Sequence, residues 1–232
     1  IVMKVAPIGV FCLIATTFSN IGWSAFAPML KYIFAVMLAL FIQCLITYMA
    51  MLKIFAKLNP LTFLKKFFPV MSFAFSTSSS NATIPLSIET LDNEIGVSEK
   101  ISSFTVPLGA TVNMDGTAIM QGVAVVFISQ AFGIELGLNA YLTVILTATL
   151  ASIGTAGVPG VGLITLSMVL NSVGLPVEGI GIIMGIDRIL DMTRTAVNVT
   201  GDAICTTIVA KQEGELNEST FYSNENQLDA QL

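Results

Sequence analysis

STSSSNATIP, residues 76–85, has eight hydroxyl-bearing, amide-bearing or proline positions in ten, yet FFPVMSFAF precedes it and LSI follows it. A polar run in such surroundings needs polar partners, because a buried hydroxyl or amide without one costs free energy. The rest of the chain shows how apolar the setting is. Of 232 residues, 54% are hydrophobic and 11% charged, against roughly 25% charged in a soluble domain. This is the composition of a membrane protein, in contact with a lipid bilayer. A net charge of −5 with no basic stripe argues against a nucleic-acid partner. The absence of histidine removes the commonest metal ligand and the commonest general base. Cys12, Cys44 and Cys205 lie far apart in apolar surroundings and read as small buried hydrophobes. The chain starts at Ile1 and is expected to be a fragment.

Residues 33–52, IFAVMLALFIQCLITYMAML, carry no charge and match the ~20 residues a membrane-crossing helix needs. Residues 5–30, 104–131 and 180–210 are further candidate spans, the first broken by SNIGWS. From Lys211 onward the sequence is polar throughout and is expected to be a solvated, disordered tail. Two apolar segments do not fit simple spans. The opening run splits 67–91, and SIGTAGVPGVG interrupts 140–170 at 152–162. Halves of about ten residues are too short for ~30 Å of hydrocarbon at 1.5 Å per residue. The expectation is two re-entrant helical hairpins with polar tips at mid-membrane, where irregular backbone survives only if buried in protein or lining a wet cavity.

Lys53, Lys57, Lys65 and Lys66 cluster before the first hairpin and put that loop in the cytoplasm. Counting on, the two hairpins enter from opposite sides and each is followed by a span. The predicted fold class is therefore an all-α multi-pass membrane protein, with an inverted repeat of re-entrant hairpin plus transmembrane helix and with discontinuous helices.

The last span contains DRILDMTRTAVNVTGD. At 100° per residue, with Asp187 at zero, Asp191 falls at about 40°, Arg194 at about −20°, Asn198 at about 20° and Asp202 at about 60°. Arg194 is the only cation on this stripe, among Asp187, Asp191 and Asp202; Arg188, at about 100°, lies off it. Ionisable groups in a membrane helix cost at least ~2.5 kcal/mol each. A salt-bridge ladder between helices competes with the preferred reading, a lining for a charged solute and ions. In NMDGTA, Asn113 and Asp115 are two apart and would face opposite sides of a regular helix. An unwound stretch would let both, with freed carbonyls, bind a hard cation. The glycines of SIGTAGVPGVG suit a gate, since glycine permits positive φ and close backbone approach.

Taken in order, SSSNATIP, LGATVNMDGTA, SIGTAGVPGVG and DRILDMTRTAVNVTGD resemble the dicarboxylate/amino acid:cation symporter family, the glutamate transporters, over residues 1 to about 212. APIGVF at 6–11 matches a motif near the family's fifth transmembrane helix, so the chain resembles the carboxyl half. The resemblance implies two transmembrane helices over 1–56, a core transport domain over 57–211 and a polar cytoplasmic tail over 212–232. It implies a homotrimer in the plasma or inner membrane whose transport domains move like elevators, not an enzyme.

By the same resemblance Ser79, with neighbours Ser78 and Ser80, would meet the substrate α-carboxylate together with Thr195 and Asn198. Asp191 would take the amino group, and Arg194 and Thr117 the side-chain carboxylate. The second hairpin, Ser152 to Gly162, would be the gate, with Gly157 and Val158 binding the substrate. Sodium would sit near Gly109, Asn113, Asn198 and Asp202 at one site, and near Thr111, Ser152, Ile153 and Thr155 at another. Asp115 and Asn113 would share a third site with a helix outside this chain. Many relatives carry a second arginine where this chain has Thr77 or Met192. Proton- and potassium-coupled animal relatives carry a glutamate at the place of Gln121, and a glutamine cannot take up a proton near neutral pH.

The expected function is sodium-coupled uptake of an acidic amino acid or related dicarboxylate. Proton coupling, or a neutral amino acid or cystine as substrate, is the alternative within the family. An ion channel and an intramembrane enzyme holding magnesium at Asp187 and Asp191 are remoter readings.

Overall fold

Between Phe26 and Ala56 the only helix breaker is Pro28, which falls in the first turn, where a missing N–H costs nothing. In the computed structural model, which describes Phe11, Ala15 and residues 26–223, this stretch is one continuous helix. The whole of it is α1, and its first, α-helical part is Phe26–Ile42. It runs on through a π-helical Gln43–Tyr48, a turn at Met49–Met51 and a second π segment, Leu52–Ala56. The span expected at 33–52 lies inside it; the one at 5–30 lies largely outside the described residues, as does Cys12.

Asn59 accepts from the Leu61 N–H at 3.0 Å and Pro60 takes the first helical position, starting α2, Pro60–Thr77. At 18 residues, α2 is about 27 Å long. Ser78, at φ 51°, ends it. Ser79 is extended and caps α3, Ser80–Thr90, which widens into a π turn at Leu91–Ile95. The helix break in the opening stretch is thus two residues wide, and the arms are longer than the expected ten or so. The reason is local. Ser76, Thr77 and Thr83 each donate to the carbonyl four residues back, at 2.8, 3.0 and 2.8 Å, so the hydroxyls are satisfied without leaving the helix.

Helices α4, Glu99–Val112, and α5, Asp115–Ala131, are parted by Asn113 and Met114, both outside helical geometry. This is the unwinding expected at NMDGTA. Helices α6, Leu138–Ser152, and α7, Val161–Ser172, pack together across the loop 153–160. The span expected at 180–210 is divided. A short α8, Ile180–Met184, stops at Gly185 and Ile186 before α9, Asp187–Glu213.

Helix α9 is the axis of the molecule, with 18 of its 27 residues buried against α1 to α5. Outside this core, α1 presents Phe34, Phe41 and Ile46, and α6 presents Leu138, Ile145 and Leu146, all exposed. Apolar area on this scale suits hydrocarbon better than water. Two stretches among the described residues, the helix Ala27–Ala56 and the broken helix Glu99–Ala131, are long and apolar enough to cross a membrane. Cys44 is buried, but Cys205 is exposed on the outer side of α9, contrary to the expectation for it.

Residues 212–223 are folded rather than disordered. Gly214, at φ 74°, ends α9, and Leu216 pairs antiparallel with Val97. The Ser98 N–H donates to Glu215 O at 3.0 Å and the Asn217 N–H to Gly96 O at 2.7 Å. Asn217 then caps α10, Glu218–Phe221, whose Phe221 is fully buried. Lys66 Nζ donates to Glu94 O and Thr220 O at 2.8 and 2.7 Å, tying this strap to the base of α2. Gly96 has φ +84°, and a Cβ there would lie 2.4 Å from Asn217 O. Gly96→Ala is therefore expected to destabilise the fold by about 1–3 kcal/mol and to open residues 214–223 to protease. Thermal unfolding and limited proteolysis read both; parental protection of the strap would show that it does not depend on this contact.

Candidate functional site

The chain breaks converge. The tip between α2 and α3 meets the loop 153–160 at one carbonyl: Gly157 O accepts from Ser79 Oγ at 2.8 Å and from the Asn81 N–H at 3.2 Å. A Cβ on Gly157 would sit 2.7 Å from Asn81 Oδ1 and 3.0 Å from Ser80 Cβ, so the contact needs glycine. Gly154 N–H donates to Thr111 O at 2.7 Å, docking the same loop on the end of α4.

Behind the two tips lies a cavity of about 20 Å³, room for roughly one water molecule. Ser78, Ser80, Thr117, Gly157, Val158, Asp191, Arg194, Thr195 and Asn198 line it. All nine were expected at the substrate site. Ser79, the tenth, is turned away to Gly157 and to its own helix, where its side chain accepts from Ala82 N–H. Ala156, Val161 and Gly162, from the stretch expected to be the gate, also line the cavity, as does Met114, which was not singled out from sequence because a single apolar residue carries no pattern. Ser78 Oγ is buried without a hydrogen-bond partner. Ser80, Thr117 and Val161 belong to the first turns of α3, α5 and α7. Three helix N-termini therefore face the cavity, and their positive dipole ends favour an anion.

Arg194 is 1% exposed. Nη1 donates to Asp187 Oδ1 at 2.6 Å and Nη2 to Asp187 Oδ2 at 3.3 Å, a bidentate pair, and Nη2 also reaches Asp191 Oδ1 at 2.7 Å. The other oxygen of Asp191 accepts from Gly160 N–H at 3.1 Å. The expectation that three aspartates surround Arg194 holds for two of them. Asp202 turns instead to Asn113, whose Nδ2 donates to Asp202 Oδ1 at 2.8 Å. A helical wheel gives an angle about the axis but not the two turns of rise that separate Arg194 from Asp202.

Near Asp202 lie Gly109, Asn113 and Asn198, the residues expected with it at one cation site. A Cβ on Gly109 would lie 2.6 Å from Asp202 Oδ1. Asn113 Nδ2 also approaches Asn198 O at 3.4 Å, and Asn198 Oδ1 accepts from Gly116 N–H at 2.7 Å. Through the Gly154 link, Thr111 stands beside the loop carrying Ser152, Ile153 and Thr155. The Ile153 side chain is exposed, so only its backbone can contribute there. Asp115 is held from α1 by Gln43 and Tyr48. Gln43 was legible in principle, as an amide inside an uncharged span. Gln121 is fully buried, and its Nε2 donates to Thr165 Oγ1 at 2.8 Å. Among the described residues no three of His, Cys, Asp and Glu converge.

Residues 1–212 match the model of the sodium:dicarboxylate symporter family. The chain belongs to this family. It is therefore a multi-pass membrane protein of a transporter family. It is 42% identical over 210 residues to an excitatory amino acid transporter of Caenorhabditis elegans, covering 90% of this chain and 42% of that protein. It is 38% identical over 230 residues to the proton/glutamate-aspartate symporter of Escherichia coli, covering 98% and 52%. It is 39% identical over 226 residues to excitatory amino acid transporter 3 of Mus musculus, covering 97% and 43%. The chain spans about half the length of the curated relatives it matches.

The Gly157 contact gives a direct test of how the loops are held. Gly157→Ala is expected to raise amide hydrogen exchange at Asn81 and across residues 154–160, read by mass spectrometry. Unchanged protection would mean that this carbonyl does not hold the tips together.

Proposed function

We propose that the protein containing this chain is a secondary symporter that couples uptake of an acidic amino acid, aspartate or glutamate, to sodium. The observation that carries this is the pairing of Arg194 with Asp191 beside a cavity closed by two loops. An acidic amino acid can replace that pair without leaving a charge unpartnered. Its ammonium takes Asp191 and its side-chain carboxylate takes the Nη2 side of Arg194, while Asp187 keeps Nη1. The α-carboxylate meets the Ser78 hydroxyl, Thr195 and Asn198, at the helix N-termini. Each buried charged group then has a counter-charge or hydrogen-bond donors, as burial requires.

A cavity of about 20 Å³ cannot hold an amino acid, so the tips must part to admit one. The loop 153–160 is the gate in this reading. The two hairpins are re-entrant and form an inverted repeat with the segments that follow them. Residues 57–211 are the core transport domain, moving against a trimeric scaffold by an elevator motion in the plasma or inner membrane.

The donor set fits sodium. Carbonyls freed at the Asn113–Met114 break, the Asn198 and Asn113 amides and the Asp202 carboxylate are hard oxygen ligands, and the close approach of Gly109 to Asp202 keeps that corner open to backbone oxygens. Sodium supplies positive charge there. The residues that would hold it are Gly109, Asn113, Asn198 and Asp202 at one site, Thr111, Ser152, Ile153 and Thr155 at a second, and Asp115 with Asn113 at a third. The names of some relatives give proton coupling as the alternative.

Reconstitution of the full-length protein in liposomes tests this. Aspartate uptake is expected to require an inward sodium gradient. Uptake driven by a proton gradient with no sodium dependence would overturn the coupling ion, and sodium current without substrate would point to a channel.

Selectivity gives a second test. A neutral amino acid leaves one fork of Arg194 unpaired, although Asp187 still neutralises it. Neutral amino acids are therefore expected to compete about 10- to 100-fold more weakly than aspartate, the range of a lost charge-assisted hydrogen bond. Arg194→Cys is expected to shift preference toward serine-like or alanine-like solutes. Equal competition in the parent would leave Arg194 as a packing residue.

A further inference from the structure

Asp115 opens α5 directly after the helix break, and two donors from α1 meet one of its oxygens. Gln43 Nε2 lies 2.8 Å and Tyr48 Oη 3.0 Å from the same atom, Oδ2. The two donors are five residues apart, which on an α-helix would turn them about 140° from each other. They are the first and last residues of the π segment Gln43–Tyr48. An i→i+5 helix stacks such positions over one another, so the π segment is what aims both at Oδ2; insertions of this kind recur at functional sites.

Helix α9 makes room for them at Gly201. A Cβ there would lie 2.4 Å from Tyr48 Oη and 2.7 Å from Asn113 Nδ2. One glycine thus admits both the tyrosine that holds Asp115 and the asparagine that holds Asp202. Two donors on one oxygen fix the rotation of the carboxylate and commit Oδ2 to protein. Oδ1 is the oxygen that remains for a hard cation.

We propose that Gln43 and Tyr48 are positioning residues that set the sodium affinity of the Asp115 site, an inference that rests on the reading of Asp115 as a cation ligand given above. They touch neither substrate nor cation. They act by presenting Oδ1, and they link that site to α9 through Gly201.

The test uses the full-length protein, purified in detergent without amino acid, and reads the sodium concentration that gives half of the sodium-dependent rise in thermal unfolding midpoint. Tyr48→Phe and Gln43→Leu are each expected to raise that concentration roughly tenfold or more, the usual effect of losing a partner of a metal ligand. Aspartate half-saturation at saturating sodium is expected to stay at the parental value. In an Asp115→Asn background, Tyr48→Phe is expected to add no further shift. A purely structural role would lower the midpoint equally at every sodium concentration and leave half-saturation unchanged, which overturns the inference. A parental value in Gln43→Leu overturns it even where Tyr48→Phe does not fold. A parent with no sodium-dependent stabilisation overturns both this inference and the sodium reading, whereas sodium-dependent parents with parental variants overturn this inference only.

Discussion

Arg194 is 1% exposed in the middle of the most buried helix, and it stays there because Asp187 and Asp191 stand on the same helix, seven and three residues earlier. Removing either partner of a buried pair leaves an uncompensated charge, at a typical cost of about 3–5 kcal/mol. Because both counter-ions are local to α9, the guanidinium needs nothing from a second helix. Neighbouring backbone can therefore approach it closely. Gly162 does so: a Cβ there would lie 3.4 Å from Nη2. Gly160 donates its N–H to Asp191. The start of α7 is thus docked on the anionic side of the pair, and the loop before it reaches across to the first hairpin through Gly157. The charges on α9 organise the loops, rather than the loops enclosing the charges.

The parts legible in sequence were those where a polar group conflicts with an apolar setting. The α9 stripe was readable because every ionised residue in such a chain carries a cost that something must offset. The break at Asn113 and Met114 was readable because two polar groups two residues apart cannot share a helical face. Periodicity misled where local bonding changed the rule. The opening run looks like a long loop, yet three of its hydroxyls bond back into their own helices and only Ser78 and Ser79 leave helical geometry. Residues 212–223 look like a solvated tail because their anchors are mostly backbone bonds to Gly96 and Ser98, which leave no mark on composition. Gln43 and Tyr48 share a target only because the helix between them is π, and an α-helical wheel separates them.

In the proposed transport cycle the site has to open, and its polar inventory bears on how. The tips are joined by two donors on Gly157 O, and the loop 153–160 is tied to α9 by Gly160 on Asp191 and to α4 by Gly154 on Thr111 O. Parting them breaks a few hydrogen bonds, each with a net worth of only about 0.5–1.5 kcal/mol in water. A zwitterion with a second carboxylate offers acceptors and donors of the same kinds to the same groups: an ammonium for Asp191, a carboxylate for Arg194, another for the unpartnered Ser78 hydroxyl. Ligand binding in such a site exchanges polar contacts instead of adding to them. The states with and without ligand can then lie close in free energy, and the balance between them passes to whatever fixes the neighbouring carboxylates, Asp202 on Asn113 and Asp115 on Gln43 and Tyr48. In the proposed reading, a cation there would sit one helical turn from the substrate side chains: Asn198, which accepts from Gly116 N–H, stands four residues before Asp202 and four after Arg194 on the same face. Coupling between ion and solute needs no longer path than that.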